Sequence, residues 1–173
     1  MRSLLVVVDM QKDFIDGSLG TKEAEEIVAH VVEEIGKYQT EDIFATRDTH
    51  KEDYLKTQEG KKLPVMHCIE GTEGWEINQQ VKDALKGAEI INKPTFGSIR
   101  LAEKIAKLAQ KEEIEVTLIG LCTDICVVSN ALLIKAYLPE VSVKIIASCC
   151  AGVTKESHEA ALTTMKMCQI EII

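Results

Sequence analysis

Residues 116–127 read VTLIGLCTDICV, and this stretch decides the fold. The apolar, partly β-branched run Val116–Gly120 predicts a buried strand. An apolar helical pattern follows over Cys126–Tyr137, and Pro139 terminates it. A strand that leads directly into a helix is the repeating unit of an α/β fold, with Cys126 on the first turn of the helix.

The same alternation extends in both directions along the chain. The other predicted strands are Leu4–Val8, Asp42–Thr46, Ala88–Asn92, Val141–Ala147 and Gln169–Ile173. The other predicted helices are Thr21–Tyr38, Ile77–Lys86, Ile99–Lys111 and Lys155–Met167. Nearly continuous apolar strands indicate burial on both faces, and therefore a parallel sheet covered by helices on each side. With no repeat and no linker, we expect one α/β domain over residues 1–173.

Composition and charge exclude several classes of protein. Of the 173 residues, 46% are hydrophobic and 28% are charged, which is typical of a globular protein. A net charge of −8 disfavours nucleic acid or an anionic membrane as a partner. No segment resembles a signal peptide or a membrane span. Six cysteines without CxxC spacing indicate reduced thiols, and hence a cytoplasmic location, rather than a disulfide scaffold.

Chemically active side chains follow the predicted strands. In open parallel sheets ligands bind at the carboxyl ends of the strands, where Asp9, Lys93 and Cys126 would meet. A thiol at a helix N-terminus and near an ammonium favours the nucleophilic thiolate, and a carboxylate can accept the thiol proton. Taken singly, Cys126 could be a structural cysteine, Asp9 a capping residue and Lys93 a solvated lysine. Their occurrence together at strand ends favours catalysis.

A second group lies in the long irregular segment Arg47–Gly74. It contains Asp48, His50, Glu59 and His67, a mixed nitrogen and oxygen donor set suited to zinc, iron or manganese. The alternative is two loop histidines in solvent. The remaining histidines, His30 and His158, are predicted to lie at the surface of helices.

Aromatic residues are scarce, and two of them adjoin the proposed site. Phe14 and Phe96 could form a wall for a flat ligand or could simply fill the core. Trp75 is expected to pack under the long loop. Asp124 is expected to cap the helix that carries Cys126.

Five motifs together resemble the nicotinamidase / isochorismatase-like cysteine hydrolase family over essentially the whole chain. They are Asp9–Phe14, Thr46–His50, His67–Thr72, Lys93–Phe96 and Gly120–Val127. The resemblance implies a three-layer, doubly wound fold with a six-stranded parallel sheet in the order 3-2-1-4-5-6. It also implies a homo-oligomer.

The resemblance implies roles for individual residues as well. The catalytic triad falls on Asp9, Lys93 and Cys126. A cis peptide is implied between Leu121 and Cys122, with an oxyanion hole formed by the backbone N–H groups of Cys122 and Cys126. The implied ligands of a divalent metal, zinc first and then iron or manganese, are Asp48, His50, His67 and, as in some members only, Glu59.

The implied reaction is hydrolysis of a small carboxamide, nicotinamide first, to nicotinate and ammonia through a cysteine thioester. In nicotinamidases the Asp-x-His motif commonly continues with a proline and a further histidine, whereas Lys51–Tyr54 follows here. Although isochorismatase-type vinyl-ether hydrolysis needs no thiol nucleophile, and Cys126 therefore weighs against it, this reaction stays open as a rival. So do hydrolysis of a carbamoyl or ureido amide, which needs no metal, and a non-enzymatic thiol redox or binding module.

Overall fold

The computed structural model describes residues 1–173 and contains one six-stranded, all-parallel sheet. The strand order is β3-β2-β1-β4-β5-β6, which confirms the predicted fold and order. The strands are β1 (Arg2–Val8), β2 (Ile43–Asp48), β3 (Glu89–Lys93), β4 (Ile114–Leu121), β5 (Ser142–Ala151) and β6 (Glu171–Ile172).

Helices cover both faces of this sheet. They are α1 (Lys12–Ile15), α2 (Lys22–Glu26), α3 (Val28–Ile35), α4 (Gln58–Lys62), α5 (Gln79–Leu85), α6 (Ile99–Ala109), α7 (Val128–Tyr137) and α8 (Lys155–Met167). Short 3₁₀ helices occupy Thr40–Asp42 and Tyr54–Lys56, and a π-helical turn occupies Thr123–Val127. None of the helices combines the length and the apolar character needed to cross a bilayer.

The central strand β1 explains why both faces need cover. Leu4, Val6 and Val8 belong to the core on one face of the sheet, and Leu5 and Val7 belong to the core on the other. All five side chains are at most 1% exposed. Full burial of such side chains stabilises the fold by about 1.5–3 kcal/mol each. The continuous apolar run in the sequence therefore reflects a strand with no solvent face.

Register brings the carboxyl ends of the strands together at one edge. Asp48 at the end of β2 pairs with Lys93 at the end of β3, and Val8 pairs with Gly120 of β4. Asp9 follows β1 directly. Gly120 has φ +116°, and a Cβ there would lie 2.1 Å from the Val8 carbonyl oxygen. Only glycine allows β4 to approach β1 this closely.

Several predicted boundaries were wrong. The single helix predicted over residues 21–38 is two helices, α2 and α3. They are separated at Ile27, whose ψ of −13° interrupts the regular helix. The helix predicted to begin at Cys126 begins instead with the π-helical turn at Thr123. Strand β2 runs on to Asp48, and the segment after it contains a 3₁₀ helix and α4, so it is not wholly irregular.

Candidate active site

The three side chains proposed as a triad lie in contact. Lys93 Nζ is 2.6 Å from Asp9 Oδ2 and 3.4 Å from Cys126 Sγ. It also donates a hydrogen bond to the Thr95 carbonyl oxygen at 3.0 Å. The side chains of Lys93 and Asp9 are fully buried, and Cys126 is 4% exposed. An acid, an ammonium and a thiol are thus held in one desolvated cluster.

The backbone at the end of β1 orients Asp9. Its φ of +46° is left-handed, a conformation that aspartate tolerates better than most residues. The backbone N–H of Asp9 donates to the Thr46 carbonyl oxygen at 3.2 Å. The Thr46 hydroxyl donates to Asp9 Oδ1 at 2.7 Å, which leaves Oδ2 for Lys93. Thr46 was not predicted to orient Asp9, although its position near the end of β2 was a usable signal.

Asn130 fixes the turn that carries Cys126. Its side-chain Nδ2 donates to the Cys126 carbonyl oxygen at 2.8 Å and to the Phe96 carbonyl oxygen at 3.2 Å. Its Oδ1 accepts from the Ser98 backbone N–H at 2.9 Å. One buried amide therefore ties the turn to the loop after β3. The sequence signal was a polar amide within an otherwise apolar helix.

The other side of this turn rests on α8, and two predictions were wrong here. His158 was predicted to lie at the surface, but it is half-buried. Its Nδ1 is 2.8 Å from the Thr123 hydroxyl, so His158 contacts the cysteine-bearing turn. Asp124 does not cap the helix, because it lies inside the π-helical turn. Its carboxylate accepts from the Val153 backbone N–H at 3.1 Å instead. His30 is exposed, as predicted.

Burial controls the protonation of the cluster. It raises the pKa of Cys126 well above the usual value, the charge of Asp9 adds to this, and Lys93 offsets only part of it. Burial and Asp9 therefore favour the thiol form of Cys126, whereas the helix N-terminus and the ammonium of Lys93 were expected to favour the thiolate. Burial alone would lower the pKa of Lys93, but its acidic neighbours, Asp9 first, outweigh burial and leave it raised. The raised pKa favours the protonated form of Lys93.

A second cluster adjoins the first. The ligand atoms of Asp48, His50 and His67 all lie within 4.8 Å of one another. Asp48 Oδ2 is 2.9 Å from His50 Nε2 and 3.7 Å from His67 Nε2. Glu59 Oε1 lies 3.6 Å from Nε2 of each histidine. All four predicted ligands are thus brought together.

The donor chemistry of this cluster fits a divalent metal. His67 Nδ1 is 2.8 Å from the Val65 carbonyl oxygen, so Nδ1 carries the proton and the Nε2 lone pair faces the cluster. His50 Nε2 is buried and has no hydrogen bond of good geometry, despite its closeness to Asp48. Two imidazoles and two carboxylates suit zinc, iron or manganese.

Hydrogen bonds and ring contacts hold the loop around the cluster in place. The His50 N–H donates to the Cys68 carbonyl oxygen at 2.9 Å. The buried ring of Tyr54 lies 4.7 Å from the ring of His50 and 4.9 Å from that of His67. The Thr57 hydroxyl caps the short helix α4, which presents Glu59.

Gln11 was not assigned a role from the sequence. Its fully buried side chain donates through Nε2 to the Asp48 carbonyl oxygen at 2.8 Å, and through Oε1 accepts from the Asp48 N–H at 2.7 Å. Its position directly after β1 was the available signal. Trp75 packs under the loop as expected, with its indole N–H donating to Thr49 Oγ1 at 2.9 Å.

A cavity of about 520 Å³ opens onto both clusters. Its lining includes the nearly buried Phe14 and the 42% exposed Phe96, together with Cys122 and Cys126. Both phenylalanines therefore face the cavity. The peptide bond between Leu121 and Cys122 is cis, as the resemblance implied.

Comparisons with known proteins identify solved structures of similar fold. A pyrazinamidase of Pyrococcus horikoshii in complex with zinc has a TM-score of 0.80 and 28% identity, over 100% of this chain and 99% of that chain. A nicotinamidase/pyrazinamidase from Bacillus subtilis has a TM-score of 0.83 and 25% identity, over 99% of each chain. An N-carbamoylsarcosine amidase from Thermoplasma acidophilum, at 22% identity and a TM-score of 0.76 over 99% of this chain and 95% of that chain, shares the fold.

No curated protein sequence matches the chain significantly. The family described as the Isochorismatase domain matches residues 3–173. The chain therefore belongs to the isochorismatase family.

Proposed function

We propose that this protein hydrolyses the C–N bond of a small carboxamide, with nicotinamide as the first candidate, through a thioester on Cys126. Family membership and the likeness to nicotinamidases and pyrazinamidases indicate an amide hydrolase. The observation that carries the proposal is the contact of Lys93 with both Asp9 and Cys126 beside the cavity.

In the first half-reaction Asp9 acts as a general base. It takes the proton of the Cys126 thiol while sulfur attacks the amide carbonyl carbon, and the carbonyl electron pair moves onto oxygen. The backbone N–H groups of Cys122 and Cys126 are proposed to stabilise this oxyanion. When the C–N bond breaks, Asp9 gives its proton to the nitrogen. Ammonia leaves, and the acyl group remains on sulfur.

In the second half-reaction water cleaves the thioester. Asp9 takes a proton from water as the oxygen attacks, and the C–S bond then breaks. The proton returns to sulfur, so that one amide and one water give one carboxylic acid and one ammonia. Lys93 stays protonated throughout and stabilises the negative charge on Asp9 and on sulfur.

A divalent metal fits beside this machinery. Asp48, His50 and His67 would hold it, with Glu59 as a fourth ligand, and zinc is the first choice because the matching pyrazinamidase contains zinc. When bound, the metal would supply a Lewis-acidic position for a ring nitrogen of the substrate or for an ordered water. This donor set separates the proposal from ureido-amide hydrolysis, which needs no metal.

Ammonia release from nicotinamide, pyrazinamide and a ureido amide tests the proposal. We expect turnover of nicotinamide and pyrazinamide, and a loss of at least about 10³-fold in Cys126→Ala, because the nucleophile is gone. Cys168→Ala is the matched control, since Cys168 is exposed and does not line the cavity.

Turnover retained by Cys126→Ala would contradict the thioester. If the wild-type protein released no ammonia from any of the three amides, a non-enzymatic thiol or binding module would be the better description.

A further inference from the structure

The cavity is larger than a single-ring amide requires. Its volume of about 520 Å³ lies within the range of roughly 300–1,000 Å³ typical of pockets that bury drug-sized ligands. Beyond the two polar clusters, the wall is largely apolar and is formed by Leu19, Leu63, Phe96, Ile125 and Val153. A substrate held with its amide at Cys126 therefore has room for an apolar extension toward solvent.

Lys62 stands at the mouth of this cavity. It lines the cavity and is exposed, as are its neighbour Leu63 and Phe96. Lys62 lies three residues after Glu59 on α4, so the two side chains share one face of that helix. Glu59 is directed toward the two histidines, at 3.6 Å. Lys62 follows Glu59 by about one helical turn on that face.

The ammonium of Lys62 has no partner within the protein. It forms no ion pair and no side-chain hydrogen bond. Several other lysines also lack a carboxylate within 4.0 Å, but Lys62 is the one lysine that lines this cavity. The carboxylates that line the cavity, Asp48 and Glu59, face the histidine cluster instead.

The charge around the mouth bears on what can enter. The chain as a whole carries −8, which disfavours the approach of an anion. Lys62 places one positive charge where a ligand would extend from the cavity. An ammonium at the rim of an apolar wall suits a ligand with an apolar body and a negatively charged end.

We propose that Lys62 is a specificity-determining residue for amides that carry a carboxylate at the end remote from the reacting carboxamide. This inference rests on the proposed amide hydrolysis, and it identifies the class of substrate. The amide end lies at Cys126, the apolar body lies along Phe96 and Leu63, and the carboxylate pairs with Lys62.

Binding to the Cys126→Ala protein tests the inference without turnover. The probes are nicotinamides that carry, at ring position 5, an alkyl chain of increasing length ending in a carboxylate, each compared with its neutral methyl ester by calorimetry. At one chain length we expect the acid to bind about fivefold more tightly than the ester, the size of a partly exposed ion pair.

Substitutions at Lys62 test whether the preference for the acid over the ester depends on this side chain. We expect Lys62→Met to abolish it and Lys62→Glu to reverse it in favour of the ester. Lys61→Met is the matched control, because Lys61 is exposed on α4 but does not line the cavity. A preference for the acid that is absent at every chain length, or that survives in Lys62→Met, overturns the inference.

Ammonia release from the same compounds by the wild-type protein separates the two proposals. Lys62-dependent binding of the acids without any ammonia release would overturn the proposed hydrolysis and leave the anion-recognising mouth standing. Ammonia release with equal kcat/KM for acid and ester at every chain length would support hydrolysis and overturn the role of Lys62.

Discussion

At the scale of single residues, the thiol of Cys126 lies between a cation and a carboxylate inside the protein. Lys93 donates toward the sulfur from 3.4 Å, yet burial and Asp9 together keep the pKa of Cys126 well above the usual range. In the proposed mechanism the nucleophile therefore starts as a thiol and passes its proton to Asp9 when it attacks the substrate. Storage as a thiol protects the sulfur from adventitious electrophiles.

This protonation state predicts the pH dependence of alkylation. Because the pKa of Cys126 is raised, its thiolate fraction, and hence its rate with iodoacetamide, should keep rising above about pH 8.5, where an ordinary thiol is half ionised. Mass spectrometry of the Cys126 peptide after short pulses from pH 6 to pH 9.5 measures the rate. A plateau below pH 7 would show a resting thiolate instead.

The donor cluster leads to a prediction about metal content. We expect His67→Ala to bind zinc at least about 100-fold more weakly than the wild type, because one of two imidazole ligands is lost. Elemental analysis after dialysis, and the shift of Tm on adding zinc, measure this. His30→Ala is the control because His30 is exposed and outside the cluster. Equal zinc content in all three proteins would refute the site.

At the scale of elements, the contact between β1 and β4 sets the position of the nucleophile. Gly120 pairs with Val8 one residue before Asp9, and the cysteine-bearing turn begins at Thr123. The π-helical turn is then held by Asn130 on one side and by His158 on the other. The triad geometry thus depends on the close approach of two neighbouring strands.

Gly120→Ala should destabilise the protein strongly. The new Cβ would lie 2.1 Å from the Val8 carbonyl oxygen at φ +116°, so both torsional strain and a clash with backbone oppose it. We expect a loss of about 3 kcal/mol or more in the free energy of unfolding, measured by denaturant titration. Gly87→Ala is the control, since Gly87 has φ +86° with no atom within 4 Å of the Cβ. Equal losses for the two variants would exclude the clash as the cause.

The sequence predicted the elements and the strand-end residues better than the contacts between distant elements. Strand-end position alone predicted that Asp9, Lys93 and Cys126 would meet. The contacts of Thr123 with His158 and of Asp124 with Val153 depend on how α8 packs against the cysteine-bearing turn, about which a local pattern says nothing. The raised pKa of Cys126 was not foreseen for the same reason, since desolvation arises from packing of several elements at once.

At the scale of the whole molecule, the sheet has a protected centre and one short edge. Strands β1 and β4 pair over seven positions, from Arg2 with Ile114 to Val8 with Gly120. Strand β6 pairs with β5 at only two positions.

The predicted homo-oligomer and cytoplasmic location stay predictions, and sedimentation analysis tests the former.

Hydrogen exchange should distinguish the central strands β1 and β4 from the edge strand β6. We expect the amides of residues 4–8 and 116–119 to exchange only through global unfolding, because their neighbours on both sides and both faces must open first. Amides of residues 171–173 should exchange through local opening and faster. Exchange followed by mass spectrometry measures both regions, and equal protection would contradict a centre-to-edge gradient.

Asp48 joins the two halves of the active site through a single carboxylate. One of its oxygens, Oδ1, is 3.4 Å from Lys93 Nζ, while the other, Oδ2, is 2.9 Å from His50 Nε2. Lys93 of the proposed triad and His50 of the proposed metal site therefore share one carboxylate. A redesign that removes the histidines must still retain an acid at this position, or Lys93 loses the second of the two carboxylates beside its ammonium.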